Sequence, residues 1–231
     1  MIGIGTLVNA AAIVGGTLIG VLLKGGIPER FKNIIFTAVG VAVIFIGTQG
    51  VLNNMNNSMM LVLSLVLGGI LGEALRLEDR MAALGEAIKK RFIKSDADSA
   101  TFVEGFVSAS ILFCVGSMAI IGSLNDGLLH DPSMLFTKAI LDGITSIVFG
   151  ASLGIGVAFS AVPILIYQGA LTLLAGEVSP YLTDTLIANM SCVGNAVIFC
   201  IGWNFIFPGK FKTGNLFPAM FLPILLGLFL K

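Results

Sequence analysis

The feature that most constrains this chain is the near absence of charge along most of its length. Eight apolar stretches of about twenty residues follow one another, and a helix of that length crosses the ~30 Å hydrocarbon layer of a bilayer. Charged residues make up 11% of the sequence and hydrophobic residues 56%, whereas a soluble domain averages about 25% charged residues. The sequence therefore predicts an all-α fold, a polytopic transmembrane helical bundle.

The eight spans and their short loops use nearly all of the 231 residues, so we expect a single transmembrane domain over residues 1–231. Two interpretations stand for residues 157–176: a crossing span, which gives eight spans, or a re-entrant segment, which gives seven. The spans are placed at residues 2–23, 34–52, 58–76, 102–122, 135–156, 157–176, 186–207 and 216–230.

Basic residues are concentrated in the segments that follow spans 1 and 3, whereas the loops after spans 2 and 4 carry none. Basic loops remain in the cytoplasm, so span 1 is predicted to run from outside to inside, with the N-terminus external. If residues 157–176 cross the membrane, the C-terminus is external as well. The basic residues are Lys24, Arg30 and Lys32 after span 1, and Arg76, Arg80, Lys89, Lys90, Arg91 and Lys94 after span 3.

Residues 78–94 form an amphipathic segment at helical spacing, with Met81 and Ile88 on its apolar face and a cluster of basic residues at its end. A basic amphipathic helix between two spans is predicted to lie on the anionic cytoplasmic leaflet. A regulatory partner site is the alternative role for this segment.

The reactive residue types do not form a catalytic or metal-binding pattern. Cys114, Cys192 and Cys200 all lie in apolar stretches and are predicted to be packing residues, with neither a disulfide nor a zinc site. His130, the only histidine, follows span 4 in a loop, away from any buried catalytic dyad. We expect no enzymatic activity, no cofactor and no metal. Thirteen basic and thirteen acidic residues cancel, so nucleic acid is not an expected partner either.

Glycines recur at regular positions in two sets of spans. Small residues four apart let helix backbones approach closely in lipid, and such pairs occur in spans 1, 3 and 5: Gly16/Gly20, Gly68/Gly72 and Gly150/Gly154. Spans 2, 4 and 7 share a Val-Gly step followed by a further glycine, at Val39-Gly40 to Gly47, Val115-Gly116 to Gly122 and Val193-Gly194 to Gly202. These patterns predict packing faces, an internal, inverted repeat with glycine-interrupted helices, and a homo-oligomer. The alternative is that glycine-rich apolar helices resemble one another by composition.

Several motifs together resemble one known family, the YqgA-like (or YdfK-like) family of bacterial integral membrane proteins. The resemblance covers nearly the whole chain. It implies a multi-pass protein of the bacterial plasma (inner) membrane and names no substrate. The motifs are Gly5-Thr6-Leu7-Val8-Asn9, Leu71-Gly72-Glu73, Phe113-Cys114-Val115-Gly116, Asp126-Gly127-Leu128, Leu141-Asp142-Gly143 and Tyr167-Gln168-Gly169.

Asp142 is the main candidate for a functional residue, because an ionisable group within a span is costly and usually faces protein or water. It lies ~10 Å from the outer face, and polar residues of four other spans fall at ~8–13 Å. These five could line one cavity that takes a small cation, a proton or an amino-acid-like solute. The alternative is a structural ion pair between Asp142 and Lys138, one turn earlier. The four other residues are Asn9, Ser117, Gln168 and Asn195.

Two further acids lie near the cytoplasmic ends of spans 3 and 4. Glu73 is predicted to form an ion pair with Arg76, one turn on. Glu104 has no nearby cation in the sequence, and it is either an inner gate or an interfacial residue.

Two functions from different classes account for these features. The first is a small-solute or ion permease, a transporter or channel, built around Asp142. The second is a non-conducting membrane scaffold or regulatory subunit that acts through the basic helix 78–94.

Overall fold

The computed structural model describes residues 2–24, 29–92 and 99–229 and contains only helices there, so the predicted all-α bundle is confirmed. Three short 3₁₀ segments, Gly154–Ser160, Ser179–Tyr181 and Phe217–Phe221, connect some of the α-helices. Within the described residues the α-helices are α1 Ile4–Lys24, α2 Glu29–Asn54, α3 Ser58–Ala74, α4 Leu77–Phe92, α5 Ser99–Cys114, α6 Ser117–Leu128, α7 Ser133–Leu153, α8 Ala161–Leu173, α9 Ala175–Val178, α10 Asp184–Ile206, α11 Thr213–Leu216 and α12 Leu222–Phe229.

Four helical stretches are long and apolar enough to cross a membrane, and up to six if two bent pairs each count as one span. The bent pairs are α3 with the first part of α4, at 54°, and α5 with α6, at 62°. The helix predicted at 78–94 corresponds to α4, Leu77–Phe92, and its last two residues lie outside the described ranges.

Polar side chains in the loops mark where several helices begin. The Asn57 side chain accepts hydrogen bonds from the backbone N–H groups of Met59 and Met60, which starts α3. Asp131 precedes α7 and accepts hydrogen bonds from the backbone N–H and the hydroxyl of Ser133. Both bonds favour the ionised form, so they lower the pKa of the exposed Asp131 carboxyl.

The chain folds into two compact units. The first takes its residues from Met1–Lys32, Met81–Cys114 and Met118–Tyr181, and the second from Asn33–Arg80, Val115–Ser117 and Leu182–Lys231. The first unit therefore contains α1, α5, α7 and α8, and the second contains most of α2 together with α3, α10, α11 and α12.

In the first unit α1 and α7 lie side by side and run in the same direction. Gly5 faces Leu135 at one end of the contact, and Gly20 faces the Ile147 carbonyl at the other. Between them, a methyl group added at Gly16 would collide with the carbonyl oxygen of Gly143. The two backbones approach this closely because glycine has no side chain at these positions.

α8 runs opposite to α7, although the two belong to one helical stretch of 41 residues, Ser133–Leu173. The Asn9 side-chain nitrogen donates to both Asp142 of α7 and Gln168 of α8, and a straight helix would separate those residues by roughly 39 Å. The chain therefore reverses within the 3₁₀ segment that begins at Gly154, whose φ of 80° lies in the left-handed region that favours glycine.

The returning arm ends at the level where α7 starts. Thr172 of α8 packs its carbonyl against Gly127, and the neighbouring Asp126 accepts a hydrogen bond from the Gly5 N–H at the beginning of α1. Residues 157–176 thus run back along the length that α7 covered, and their crossing of a membrane stays a prediction.

In the second unit the helix pairs are antiparallel. Gly40 of α2 faces Gly202 of α10, and Gly47 faces Phe199. Gly68 of α3 packs on Ala219, and Gly72 packs on the Asn215 carbonyl. These directions agree with eight alternating crossings, because a re-entrant 157–176 would make α10 parallel to α2.

The shared Val-Gly pattern of spans 2, 4 and 7 gives different structures. The span that contains Val115 and Gly116 is broken there, with Gly116 at a φ of 110°. α2 continues without interruption through Gly40, and α10 through Gly194. Of these three helices only the one at Gly116 is interrupted, and the internal repeat remains a prediction.

The glycine pairs of spans 1, 3 and 5 lie where helices meet within each unit. Gly150 of α7 packs against the Thr17 carbonyl of α1, the same helix that carries Gly16 and Gly20. Gly154 differs from the other five in ending α7 where the chain reverses.

Candidate functional site

A buried ion pair forms the centre of a polar cluster in the first unit. The Lys138 ammonium lies 2.5 Å from Asp142 Oδ2, and the two residues are 5% and 8% exposed. They are four residues apart on α7, which places them one turn apart on the same face. This is the ion pair that was predicted from the sequence as the alternative role for Asp142.

Two amide side chains from neighbouring helices join the pair. The Asn9 side-chain nitrogen donates to Asp142 Oδ2 at 3.0 Å and to Gln168 Oε1 at 3.3 Å. Asn9 and Gln168 are both fully buried. The close packing of α1 on α7 and the reversal into α8 bring these three helices to one point.

Hydrogen-bonding capacity remains unused around the pair. Among the residues that the structure describes, Asn9 Oδ1, an acceptor, and Gln168 Nε2, a donor, are buried without a partner. The hydroxyl of Ser146, one turn beyond Asp142 on α7, is buried and unpartnered as well. Because buried polar groups are nearly always hydrogen-bonded, unpartnered groups at one place suit a site that takes a polar ligand or water.

The last residue of α5 lies close to the charged pair. Cys114, the last residue of α5, is buried and near enough to Lys138 and Asp142 to interact with both charges. The helix is interrupted at Val115 and Gly116. It resumes as α6 at Ser117, with a bend of 62° between α5 and α6. Interrupted helices with free terminal groups are common at the binding sites of membrane transporters.

The structure brings Asn9, Asp142 and Gln168 together, out of the five residues proposed from sequence to line one cavity. Ser117 and Asn195 belong to the second unit. Ser117 begins α6, and Asn195 donates from its amide to the Ser191 carbonyl of its own helix at 2.7 Å.

Asp126 is a buried carboxylate outside the predicted spans. Predicted span 4 ends at residue 122 and leaves Asp126 in the loop that follows, which is wrong because α6 continues to Leu128 and Asp126 is fully buried. Its Oδ2 accepts a hydrogen bond from the Gly5 N–H at 3.2 Å. One signal could have located it: Asp126 falls four residues after Gly122 and three after Ser123, which places all three on one helix face.

Glu73 pairs with a different cation from the one predicted. Its carboxylate accepts hydrogen bonds from Lys212 at 2.9 Å and from the Asn215 amide at 2.6 Å, so the expected ion pair with Arg76 is wrong. Arg76 lies beside the bend between α3 and α4, where its φ is 49°. The hydrogen bond to Glu73 raises the pKa of the exposed Lys212.

The same region joins two helix starts reciprocally. The Asn215 side chain accepts from the backbone N–H of Glu78 at 2.7 Å, near the start of α4. The Glu78 carboxylate accepts from the N–H of Gly214 at 2.6 Å, near the start of α11. Each side chain therefore satisfies a free N–H of the other helix, which fixes the beginning of α4 to the chain near residue 214.

Glu104 stands apart from both clusters. It is half-buried on α5, and no hydrogen-bond partner for it occurs among the residues that the structure describes. Within those same ranges no three side chains of the His, Cys, Asp and Glu types gather as metal ligands.

The fold and the site together define a polytopic, all-α membrane protein with a charged pair buried among its helices. The chain belongs to the family described as "Protein of unknown function (DUF554)", whose family model matches residues 4–228. The resemblance found in the sequence motifs is thereby confirmed.

Two relatives cover nearly the whole chain. The "Uncharacterized membrane protein YdfK" of Bacillus subtilis (strain 168) is 33% identical over 222 residues, which span 95% of this chain and 93% of the relative. The "Uncharacterized protein YqgA" of Escherichia coli (strain K12) is 32% identical over 221 residues, which span 95% and 94% of the two chains. No solved structure matches the chain.

Proposed function

We propose that this protein is a small-solute or ion permease of the bacterial plasma membrane, with its binding site at Lys138, Asp142, Asn9 and Gln168. The bacterial relatives, one of them named as a membrane protein, support this location. The observation that carries the proposal is the buried Lys138–Asp142 pair beside unused hydrogen-bonding groups.

Stability alone is a poor reason for such a pair. Moving two charges out of water costs several kcal/mol per ion, so well-packed apolar residues in their place are often as stable or more so. Ionisable residues within membrane spans are accordingly rare, and they are associated with substrate pathways and proton relays. A function for the pair explains why the chain carries it.

The chemistry of the cluster favours a small polar or charged solute. A proton or cation that bound to Asp142 would release Lys138, and a zwitterion would offer its carboxylate to Lys138 and its ammonium to Asp142. The free acceptor on Asn9 and the free donor on Gln168 could complete the hydrogen bonds of either ligand.

The test is to compare transport by the wild type with transport by the variant Lys138→Met/Asp142→Asn in proteoliposomes. This variant removes both charges, so no unpaired buried charge remains, and the amide introduced in place of the carboxylate retains an acceptor for Asn9. Currents on a solid-supported membrane are recorded with sodium, potassium, a proton gradient and zwitterionic amino acids as probes. We expect the wild type to give a current with at least one probe and the double variant to give none.

The control is Asp184→Asn, which neutralises an exposed acid at the start of α10 and is expected to transport as the wild type does. A folded double variant with wild-type currents would contradict a functional role for the pair. The absence of any current from the wild type with all four probes would contradict the permease itself.

The scaffold function remains the second candidate, and one observation favours it. The reciprocal bonds between Glu78 and the segment at Gly214 and Asn215 fix the start of α4, the helix that would contact a partner or the membrane surface. A scaffold needs no transport, so a wild type without currents whose α4 binds anionic vesicles would support it.

A further inference from the structure

Asp126 is a second buried acid in the first unit, and the ion pair of the proposed transport site does not involve it. Its side chain is fully buried near the end of α6, and its Oδ2 accepts the 3.2 Å bond from the Gly5 N–H. Its Oδ1 has no partner within the described part of the chain. The start of α1 supplies a partial positive charge, which is about half an elementary charge at most.

Within the described part of the chain, the helices around Asp126 offer it no full positive charge. α8 contains no charged residue, and the lysine of α7, Lys138, is bound to Asp142. The only cation of α1, Lys24, stands at the opposite end of that helix. An ionised carboxylate buried without a counter-charge is costly, so such a group either takes up a proton or binds a cation.

Two threonines whose backbone lies close to Asp126 also have hydroxyls without partners. Thr6 follows Gly5 in the chain, and Thr172 packs its carbonyl against Gly127, the residue after Asp126. The threonines are 3% and 2% exposed, and neither hydroxyl has a hydrogen-bond partner among residues 2–24, 29–92 and 99–229.

These hydroxyls differ from others in the same unit. Those of Thr17 and Ser123 bond the carbonyl four residues earlier in their own helices, each at 2.7 Å. Thr6 and Thr172 leave that capacity unused, and they do not bond Asp126 either. Three side chains at one end of the unit therefore carry oxygens without a partner among the described residues.

We infer that Asp126, Thr6 and Thr172 form a binding site for a small monovalent cation, with sodium as the best match. Carboxylate and hydroxyl oxygens are hard ligands that suit such ions. One carboxylate balances one positive charge, whereas a divalent ion would leave an excess charge buried in the protein.

A cation here would link three helices at the start of α1. Thr6 lies three residues before Asn9, close to one turn away. The ion would therefore hold α1 against α6 and α8 and keep Asn9 at the Lys138–Asp142 pair. A role as the coupling ion of the permease rests on the proposed function, but binding itself does not.

The experiment measures radioactive sodium binding to the purified full-length chain in nanodiscs, with choline chloride replacing sodium chloride at constant ionic strength. We expect saturable binding by the wild type. Asp126→Asn is expected to bind at least about tenfold more weakly, because the site loses its only charged ligand. The matched control Asp184→Asn changes an exposed acid and is expected to bind as the wild type does.

Thr6→Val and Thr172→Val keep the side-chain shape and remove the hydroxyls, so they carry the test if Asp126→Asn does not fold. Weaker sodium binding in either valine variant supports the site. Wild-type binding in a folded Asp126→Asn variant, or in both valine variants, would overturn it. The absence of saturable sodium binding to the wild type would also overturn the site, even if the properties of the protein change with pH. The variant Lys138→Met/Asp142→Asn is expected to bind sodium as the wild type does. That result would show that this site is distinct from the proposed transport site.

Discussion

At the scale of single residues, Lys138 and Asp142 are each the main partner that compensates the other's buried charge. Both are buried, and among the described residues only Asn9 adds a further hydrogen bond to the carboxylate. Removing one partner of a buried pair leaves an uncompensated charge, which costs about 3–5 kcal/mol, whereas removing both leaves none.

This dependence gives a stability prediction. Asp142→Asn alone is expected to lose about 3–5 kcal/mol, because the Lys138 ammonium remains buried without its carboxylate. Lys138→Met/Asp142→Asn is expected to lie closer to the wild type than Asp142→Asn does. The measurement is unfolding in detergent micelles of the two variants and of Lys138→Met. Losses that simply add in the double variant would argue against coupling between the residues.

Residue positions within the apolar spans could be predicted only in part. Hydropathy located Asp142 inside a span, and its four-residue spacing from Lys138 made the ion pair an explicit alternative. Asp126 was misplaced because an acid after an apolar stretch ordinarily marks a loop. The Gly5 N–H that accounts for its burial lies 121 residues away in the chain, and no local pattern reports such a contact.

At the scale of elements, the contact between α1 and α7 depends on glycines that face the partner helix. Gly16 and Gly20 lie against carbonyl groups of α7. Gly15, next to Gly16, has nothing near the position that a side chain would take. Substitutions at these two neighbouring glycines therefore distinguish the effect of close helix packing on stability from the effect of intrinsic helix propensity.

Gly16→Ala is expected to destabilise the protein by about 1–3 kcal/mol, because the added methyl group forces the two backbones apart. Gly15→Ala is the matched control. It is expected to be neutral or to stabilise by up to about 1 kcal/mol, since alanine favours helix more than glycine does. Thermal unfolding of both variants tests this. Equal destabilisation by the two substitutions would contradict the close contact at Gly16.

The break at Gly116 shows that local sequence alone does not determine where a helix is interrupted. The tripeptide Cys-Val-Gly occurs at residues 114–116 and at residues 192–194, yet only the first interrupts its helix. Gly194 stays helical and packs against Val115, whereas Gly116 adopts a positive φ. Glycine permits both conformations, so the surrounding helices decide between them. The sequence could therefore indicate candidate breaks without choosing among them.

At the scale of the whole molecule, the helix directions agree with alternating crossings. α1 and α7 are parallel, and α2 and α10 are antiparallel, as eight alternating spans require. The apolar helices could be predicted from length and hydropathy, although four to six stretches qualify as spans and the count of eight stays a prediction. The division into two units could not, because it depends on contacts between distant segments.

This alternation predicts which loops share a side of the membrane. Cysteines at Asn56, His130 and Glu177 are expected to react with a membrane-impermeant maleimide in intact cells. A cysteine at Lys210 is expected to react only after permeabilisation, since one further span separates it from Glu177. All four positions are exposed, and the three native cysteines are replaced by alanine. Labelling of the Glu177 and Lys210 positions from the same side would contradict the alternation.

A permease with its binding site at Asp142 must open this buried cluster to water during function. Ser146→Cys places a thiol one turn from Asp142 at a fully buried position whose oxygen has no partner among the described residues. Ile13→Cys, at a fully buried apolar position of α1, is the control. Both are made without the native cysteines and treated in membranes with a charged, water-soluble methanethiosulfonate. We expect modification of Ser146→Cys and not of Ile13→Cys, whereas a folded Ser146→Cys variant that stays unmodified would contradict a transport site at Asp142.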